Sequence, residues 1–242
     1  MSRRVLIYGG SGGIGTATAR MLRARGHDLH LVGRNQDKLS EIAGELGARF
    51  TAGDVNDGEL FARASREAGE PLDGLVYAVG TITLRSLSRL SEADFINDFR
   101  INAMGAVLAV QAGLPALRKS TGTASVVLFP SIAARQGFSL HSSIAMAKGA
   151  VNGLTLSLAA ELAPKVRVNA IAPSLTQTPL AAKVLGNDQA AASIANAHPL
   201  PRLGTSDDIA ALAVFLLSQE ADWITGQIIG VDGGRSTLRT RN

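Results

Sequence analysis

Short apolar runs alternate with helix-patterned stretches along the whole 242-residue chain, and this alternation limits the possible folds more than any other feature. Wholly apolar runs such as Val126–Phe129 are typical of strands that are buried on both faces of a parallel sheet. Strands that alternate with helices indicate an α/β fold in which the helices cover the sheet. The predicted strands are Val5–Tyr8, Asp28–Val32, Ala48–Ala52, Gly74–Ala78, Ser125–Phe129, Val166–Ile171 and Gln227–Val231.

Helices are predicted between these strands. Right-handed crossovers wind such units into a Rossmann-like, doubly wound parallel sheet of about seven strands in the order 3-2-1-4-5-6-7. No linker interrupts the pattern, so we expect residues 1–242 to form a single domain. The stretch of approximately 174–204 has no clear pattern and is long for a connection, which predicts a substrate lid. The predicted helices are Gly13–Arg25, Asp37–Leu46, Asp57–Ala68, Glu92–Arg118, Ser142–Leu162 and Ser206–Leu217.

Composition excludes several classes of protein. The chain has no cysteine, which rules out disulfides, thiol catalysis and thiolate metal sites, and we expect no metal. No apolar run approaches the ~18–20 residues of a membrane span, and Ser2–Arg4 leads directly into a strand without a signal peptide. We therefore expect a cytoplasmic protein with no membrane partner.

Charge argues against a nucleic-acid partner. The formal net charge is only +4, the basic residues are dispersed, and no basic stripe with interleaved aromatic residues is present. A mildly basic surface instead suits a small anionic ligand, such as a phosphorylated cofactor.

A glycine-rich loop, Gly9–Gly15, follows the first predicted strand and opens the first predicted helix. Glycine lets the chain turn tightly and lets the backbone approach a pyrophosphate, while the helix N-terminus supplies unpaired N–H groups and a positive dipole end. A glycine-rich turn without a ligand has the same composition, but its position after the first strand favours dinucleotide binding. The predicted contacts are Gly9, Ser11, Gly12, Gly13, Ile14 and Gly15.

The spacing of Gly9, Gly13 and Gly15 resembles the Thr-Gly-x-x-x-Gly-Ile-Gly loop of the short-chain dehydrogenase/reductase family, with Tyr8 in place of the threonine. The resemblance extends over nearly the whole chain, as far as the Val231–Gly234 segment. It implies a nicotinamide dinucleotide cofactor, a small-molecule substrate, and a homodimer or homotetramer. The further cofactor contacts that it implies are Asp54, Val55, Ala78, Val79, Gly80, Asn102, Lys148, Pro173, Thr176 and Thr178.

The end of the second strand distinguishes NADP from NAD. An acidic side chain there would accept hydrogen bonds from the ribose 2′-hydroxyl of NAD, whereas this chain has Arg34 and no carboxylate in Leu31–Asn35. The guanidinium can pair with a 2′-phosphate, although an arginine that is simply solvated is the alternative. NADP(H) is therefore favoured over NAD(H).

The family carries a Tyr-x-x-x-Lys pair on a helix, and this chain retains only its lysine. In the family the phenol exchanges a proton with the substrate oxygen, and the lysine lowers the pKa of the phenol and binds the nicotinamide ribose. Lys148 matches the lysine, while Ile144 stands at the position of the tyrosine and cannot donate a proton. The resemblance also implies a substrate-orienting role for Ser131 and a proton-relay role for Asn102.

Two routes remain open for the missing acid. His141 lies three residues before Ile144, at the entry to the predicted helix, and histidine is a residue type that suits proton transfer near neutral pH, so it is a candidate substitute acid. Its alternative is a structural histidine that precedes Ser142 as the helix N-cap. In the second route, Asn102, Ser131 and Lys148 stabilise an enolate during reduction of a conjugated C=C bond.

The sequence thus predicts an NADP(H)-preferring short-chain oxidoreductase with a modified acid/base site. It would transfer hydride to or from a small carbonyl/alcohol or a conjugated enoyl substrate. The alternative is a non-catalytic protein of the same family that binds the nicotinamide nucleotide as a sensor or structural partner. Retained Asn102, Ser131 and Lys148 favour the enzyme, and Ile144 favours the alternative.

Overall fold

Nine strands form in the computed structural model, which describes residues 2–185 and 187–240. They are β1 Arg4–Tyr8, β2 Asp28–Gly33, β3 Arg49–Ala52, β4 Gly74–Tyr77, β5 Ala124–Leu128, β6 Val166–Pro173, β7 Thr176–Gln177, β8 Gly204–Thr205 and β9 Ile228–Val231. Seven of them form one parallel sheet in the order β3-β2-β1-β4-β5-β6-β9, and β7 pairs with β8 separately. The predicted Rossmann-like order 3-2-1-4-5-6-7 is therefore confirmed, with β9 as the seventh strand of the sheet.

The helices cover both faces of this sheet. They are α1 Gly13–Ala24, α2 Gln36–Leu46, α3 Glu59–Ala68, α4 Glu92–Phe99, α5 Gly105–Arg118, α6 Ser142–Leu162, α7 Pro179–Leu185, α8 Asp188–Asn196 and α9 Ser206–Leu217. Side chains alternate between the faces of a strand. Leu6 of β1 therefore belongs to the core beneath α3, α5 and α6, and Val5 belongs to the core beneath α1, α2 and α9.

The third helix begins later than predicted. The sequence places its start at Asp57, but α3 begins at Glu59 because the preceding residues form a turn. The Asp57 amide donates to the Asp54 carbonyl oxygen at 2.9 Å, and the Asp57 carboxylate accepts from the Glu59 amide at 3.0 Å.

The prediction of one continuous helix over Glu92–Arg118 is wrong, because a wide π turn, Arg100–Met104, separates α4 from α5. Side chains bind two backbone carbonyl groups at this turn. The Asn102 amide donates to the Asp98 carbonyl at 2.8 Å, and the Tyr77 hydroxyl donates to the Ile101 carbonyl at 2.7 Å. These bonds stabilise the wide turn and direct Asn102 towards the carboxyl end of β4.

The predicted lid segment, 174–204, contains β7, α7, α8 and the start of β8. Its two helices are too short and too rich in alanine to give a clear apolar period. The Asn187 side chain caps α8 by accepting from the Ala190 amide at 2.8 Å. Residue 186 of this segment, and residues 1, 241 and 242 of the predicted domain, lie outside the described residues.

Candidate active site

The glycine loop between β1 and α1 accepts only glycine at two positions. Gly9 has φ +81°, in the left-handed region, and a Cβ atom there would lie 2.5 Å from the Ala78 carbonyl oxygen. A Cβ atom on Gly15 would lie 2.1 Å from the Gly9 carbonyl oxygen. The loop is therefore folded tightly against the ends of β1 and β4, with its surface lined by backbone.

The N-terminus of α1 is left open for an anion. Its N-cap residue is Gly12, which has no side chain to cap the helix, and no acidic residue lies in the first turn. The N–H groups of the first turn and the positive end of the helix dipole thus face outward. This open cradle fits the pyrophosphate of a dinucleotide.

Arg34 and Asp54 meet at the edge of the sheet where the adenosine end of a dinucleotide is predicted. The Arg34 Nη1 atom lies 3.6 Å from Asp54 Oδ2, and the Arg34 side chain is 74% exposed. The other carboxylate oxygen of Asp54 accepts from the Asn56 amide at 2.9 Å. Val55 is buried in the core. An exposed ion pair of this length is weak, so Arg34 can exchange Asp54 for another anion.

A cavity of about 300 Å³ opens beside the glycine loop at the carboxyl ends of β4, β5 and β6. It brings together many of the predicted site residues: Ile14, Ala78, Val79, Gly80, Ser131, His141, Ile144, Lys148, Pro173, Thr176 and Thr178. The other predicted residues do not line it, because Ser11 and the loop glycines follow β1, Arg34 follows β2, Asp54 and Val55 follow β3, and Asn102 lies behind Gly80. Apolar lining residues that the sequence did not single out include Ile82, Leu84, Phe138, Leu180 and Ile194.

Lys148 of α6 is buried at the wall of this cavity. Its Nζ atom donates to the Phe129 carbonyl oxygen at 2.8 Å, and the residue is 9% exposed. Burial lowers the pKa of Lys148 to about 8, although the nearby Asp98 charge raises it. A Cβ atom on Gly80 would lie 2.8 Å from Asn102 Oδ1 and 3.2 Å from Lys148 Nζ, so these two predicted residues are neighbours behind the β4 terminus.

Asp98 forms a buried polar cluster that the sequence did not reveal. Its carboxylate is fully buried and accepts from the hydroxyl groups of Thr81 at 2.6 Å, Thr83 at 2.9 Å and Ser143 at 2.6 Å. The Asn102 amide donates to the Thr81 hydroxyl oxygen at 2.7 Å. The one available signal was the four-residue spacing of Asp98 and Asn102, but a helical aspartate is ordinarily solvated. The cluster places a negative charge behind the cavity wall.

Ile144 lies one helical turn before Lys148. Its hydrocarbon side chain lines the cavity, and the residue is buried, with 5% of its surface exposed. His141, and not Ser142, occupies the N-cap position of α6, so this one detail of the structural-histidine alternative is wrong. The His141 Nδ1 atom lies 2.7 Å from the Ser139 carbonyl oxygen, and its ring centroid lies 5.4 Å from that of Phe138. The structure thus places the candidate acid at the cavity wall.

Ser131 follows β5 and lies beside the end of β6. Its hydroxyl donates to the Pro173 carbonyl oxygen at 3.4 Å and accepts from the Ala133 amide at 3.2 Å, so it caps a short 3-10 turn. The residue also lines the cavity. As a cap the Ser131 oxygen only accepts, and its proton is held by a long bond of 3.4 Å to Pro173, so this proton can turn to a substrate oxygen in the cavity.

The two tyrosines of the chain lie in the core and not in the cavity. The Tyr8 ring packs 5.6 Å from Phe61 and 5.8 Å from Tyr77. Burial raises the pKa of both phenols well above their usual value. Neither side chain can replace a phenol at the position of Ile144.

Residues 2–185 and 187–240 contain neither a membrane-spanning helix nor a metal-binding cluster. None of the helices in these ranges has the length and hydrophobicity that a membrane crossing requires. Within the same ranges, histidine and acidic side chains form no group of three that could hold a metal ion.

Known proteins resemble this chain over almost its full length. The family model described as enoyl-(acyl carrier protein) reductase matches residues 9–236. The 3-oxoacyl-(acyl-carrier-protein) reductase of Bos taurus is 32% identical over 243 residues, which cover 97% of this chain and 98% of that protein.

Solved structures with the same fold cover almost the whole chain. A short-chain type dehydrogenase/reductase from Mycobacterium ulcerans has a TM-score of 0.91 and 31% identity, covering 99% of this chain and 92% of its own. A structure described as ElxO with NADP bound has a TM-score of 0.89 and 28% identity, covering 98% of this chain and 100% of its own. The chain belongs to the short-chain dehydrogenase/reductase family.

Proposed function

We propose that this protein is an NADP(H)-preferring oxidoreductase that transfers hydride to or from a small carbonyl/alcohol or a conjugated enoyl substrate. The observation that carries the proposal is the continuity of one cavity, which is bounded by Ile14 of the glycine loop on one side and by Ser131 and Lys148 on the other. A bound nicotinamide cofactor supplies the hydride. The chain itself holds the pyrophosphate at the N-terminus of α1 and the nicotinamide ribose at Lys148.

The preference for NADP(H) is supported by Arg34. This guanidinium is exposed at the end of β2, its ion pair with Asp54 is long, and no carboxylate follows β2 within Gly33–Asn35. A 2′-phosphate would offer Arg34 a doubly charged partner in place of Asp54. The structurally similar ElxO is described with NADP bound.

We expect Arg34→Gln to weaken NADPH binding about tenfold, since a charge-assisted hydrogen bond contributes ~1.5–3 kcal/mol and the site is exposed. NADH binding should remain unchanged, because NADH has no 2′-phosphate. Fluorescence titration of both reduced cofactors measures the two dissociation constants. Arg25→Gln, at the opposite end of α1 from the glycine loop, is the matched control. Tighter binding of NADH than NADPH by the wild-type protein would overturn the preference.

The acid/base site is the modified part of this proposal. We infer that Ile144 occupies the position of the family's tyrosine, because it lies one helical turn before Lys148 and faces the same cavity. An isoleucine there also favours the second candidate function, a non-catalytic protein that binds the nicotinamide nucleotide as a sensor or structural partner. General acid catalysis contributes about 10²–10⁴-fold to rate, so its loss separates the two candidates.

We expect the wild-type protein to oxidise NADPH in the presence of at least one class in a panel of ketones, quinones and enoyl thioesters. Ile144→Tyr, assayed beside it, reports whether the site is rebuilt for other chemistry. Two results together would establish the non-catalytic candidate. The wild-type protein would bind NADPH without oxidising it in the presence of any substrate, and Ile144→Tyr would gain activity. Ile144→Phe controls for the added ring without its hydroxyl.

The substrate proposal follows from the lining of the cavity. Apolar side chains such as Ile82, Leu84 and Ile194 form much of its wall, and they suit a small substrate with an apolar body. We propose that the segment 174–204, which contributes Leu180 and Ile194 to this wall, is the substrate lid.

The oligomeric state and the cellular location of the protein are proposed from the same family resemblance. Exposed apolar side chains lie on the neighbouring helices α4 and α6, at Ile96, Phe99, Met146 and Leu156, and they support a subunit interface at these helices. We propose that α4–α5 and α6 pair between subunits of a homodimer or homotetramer, and that the protein is cytoplasmic.

A further inference from the structure

Ser174 and His198 form a hydroxyl–imidazole pair next to the cavity. Ser174 is the first residue after β6 and lines the cavity, whereas His198 follows α8, lies behind Ser174 and is 4% exposed. The Ser174 Oγ atom lies 2.8 Å from His198 Nε2. A hydroxyl within hydrogen-bonding distance of an imidazole can exchange a proton with it.

The backbone sets the tautomer of His198. Its Nδ1 atom lies 2.8 Å from the Ile194 carbonyl oxygen and 3.3 Å from that of Ala195. A carbonyl oxygen only accepts hydrogen bonds, so Nδ1 carries a proton in the neutral ring as well as in the imidazolium. Nε2, the atom that faces Ser174, is therefore the atom that gains or loses a proton.

The Asp232 carboxylate supplies a negative charge close to this pair. Burial by itself raises the pKa of Asp232, but hydrogen bonds from Ser236 and Gly234 and the nearby His198 hold it below its usual value. The Gly234 amide donates to Oδ1 at 2.9 Å, and the Ser236 amide donates to Oδ2 at 3.0 Å. An imidazolium at His198 thus has a compensating charge nearby.

Ser174 lies on the same side of the cavity as Ser131. The strands β5 and β6 are adjacent and parallel, and the Ser131 hydroxyl donates to the carbonyl oxygen of Pro173, the residue before Ser174. A substrate oxygen that Ser131 orients would therefore approach the β6 terminus. Ile144 provides no proton at this site, and both tyrosines are in the core.

We propose that Ser174 and His198 form the proton relay of this active site, with the Ser174 hydroxyl donating to the substrate oxygen and His198 restoring the hydroxyl proton. The proposal rests on the proposed oxidoreductase function. Ser174 is its catalytic residue, and His198 acts through Ser174.

The proton balance of carbonyl reduction is complete with these two groups. His198 begins as the imidazolium, with Nδ1–H on the Ile194 carbonyl and Nε2–H on Ser174 Oγ. When the carbonyl carbon accepts a hydride, the π electron pair of C=O moves onto oxygen, which takes the Ser174 proton. Ser174 Oγ then takes the Nε2 proton, leaving a neutral His198. The carbonyl is reduced to an alcohol, the hydride donor is oxidised, and a solvent proton restores the imidazolium.

The relay is tested with Ser174→Ala and His198→Gln in carbonyl reduction by NADPH. We expect both variants to lower kcat by about 10²–10⁴-fold, the usual contribution of a general acid, and to increase the solvent deuterium isotope effect on kcat. The NADPH dissociation constant, measured by fluorescence titration, should remain that of the wild type. Ser174→Thr, which keeps a hydroxyl, should retain a higher kcat than Ser174→Ala.

A matched control is present elsewhere in the chain. His30 Nε2 and Thr51 Oγ1 form a second buried imidazole–hydroxyl pair, 2.7 Å apart, between β2 and β3 and away from the cavity. Thr51→Ala removes a comparable buried hydroxyl, and we expect it to leave kcat and the solvent isotope effect unchanged. The comparison separates loss of a relay from loss of packing.

A measurement without substrate tests the same geometry. Nitrogen-15 NMR of the imidazole groups should show that neutral His198 carries its proton on Nδ1, and a proton on Nε2 would overturn the relay. If the wild type is active, an unaltered kcat and isotope effect in Ser174→Ala would also overturn the relay. The relay would likewise be overturned if His141→Ala, and not the Ser174 and His198 variants, changed kcat and the isotope effect. If the wild type oxidises no NADPH with any substrate, the proposed function fails first and the relay fails with it.

Discussion

Gly15→Ala should abolish most of the affinity for NADPH while leaving the fold intact. The new Cβ atom would lie 2.1 Å from the Gly9 carbonyl oxygen, and this backbone atom cannot move without displacing the glycine loop. Overpacking of this kind costs up to about 3 kcal/mol, which corresponds to roughly a 100-fold weaker complex if the strain is relieved by moving the loop out of its binding geometry. Fluorescence titration with NADPH measures the loss.

Gly44→Ala is the control for this substitution. Gly44 lies within α2, and no atom other than those of the neighbouring residues and the helix backbone lies within 4 Å of the position of a Cβ there. The alanine should leave NADPH binding unchanged and raise the free energy of unfolding by about 0.5–1 kcal/mol, because alanine favours the helix over glycine. Wild-type affinity in Gly15→Ala would show that the loop does not bind the cofactor through its tight backbone geometry.

Lys148→Met should raise the free energy of unfolding at neutral pH, and the gain should fall as the pH increases. Burial lowers the pKa of Lys148 from 10.5 to about 8 in the folded protein. Between these values the unfolded chain binds more protons than the folded one, so the wild type becomes more stable as the pH rises from about 8 to 10.5. Below this window the buried charge costs about 3 kcal/mol, at ~1.4 kcal/mol for each pKa unit.

Urea unfolding of both proteins between pH 7 and 10.5 measures this difference. Methionine removes the charge, so the gain over the wild type should shrink by about 3 kcal/mol across the window. Lys119→Met removes an exposed ammonium and reports the effect of a surface charge. A gain that does not depend on pH would contradict the burial of a charged Lys148. The same variant should bind NADPH more weakly, because the buried ammonium that destabilises the fold is also the group proposed to bind the nicotinamide ribose.

The fold was predictable because its determinants are local. The wholly apolar segment around Val126–Phe129 is compatible with few environments other than the centre of a parallel sheet, and the glycine loop fixes where the first strand ends. The interruption between α4 and α5 was not predictable. It depends on the Tyr77 hydroxyl and the Asn102 amide, and the bond from Tyr77 crosses between separate elements of the chain.

The site was predictable only where its residues fit a motif. Ser131, Ile144 and Lys148 do so, and the structure places them around one cavity. Asp98 and the Ser174–His198 pair were missed because their partners are remote in sequence. Ser143 lies 45 residues from Asp98, and His198 lies 24 residues from Ser174. No local pattern distinguishes such residues from solvated ones.

The wide turn at Arg100–Met104 changes the helical phase between α4 and α5. One residue advances an α-helix by roughly 100°, so a wide turn rotates the faces of the following helix relative to those of the preceding one. α5 therefore buries Ala106 and Ala109 against the core beneath the sheet, while α4 directs Asp98 towards α6. This angular offset allows one stretch of chain to serve both the apolar core and the polar wall of the cavity.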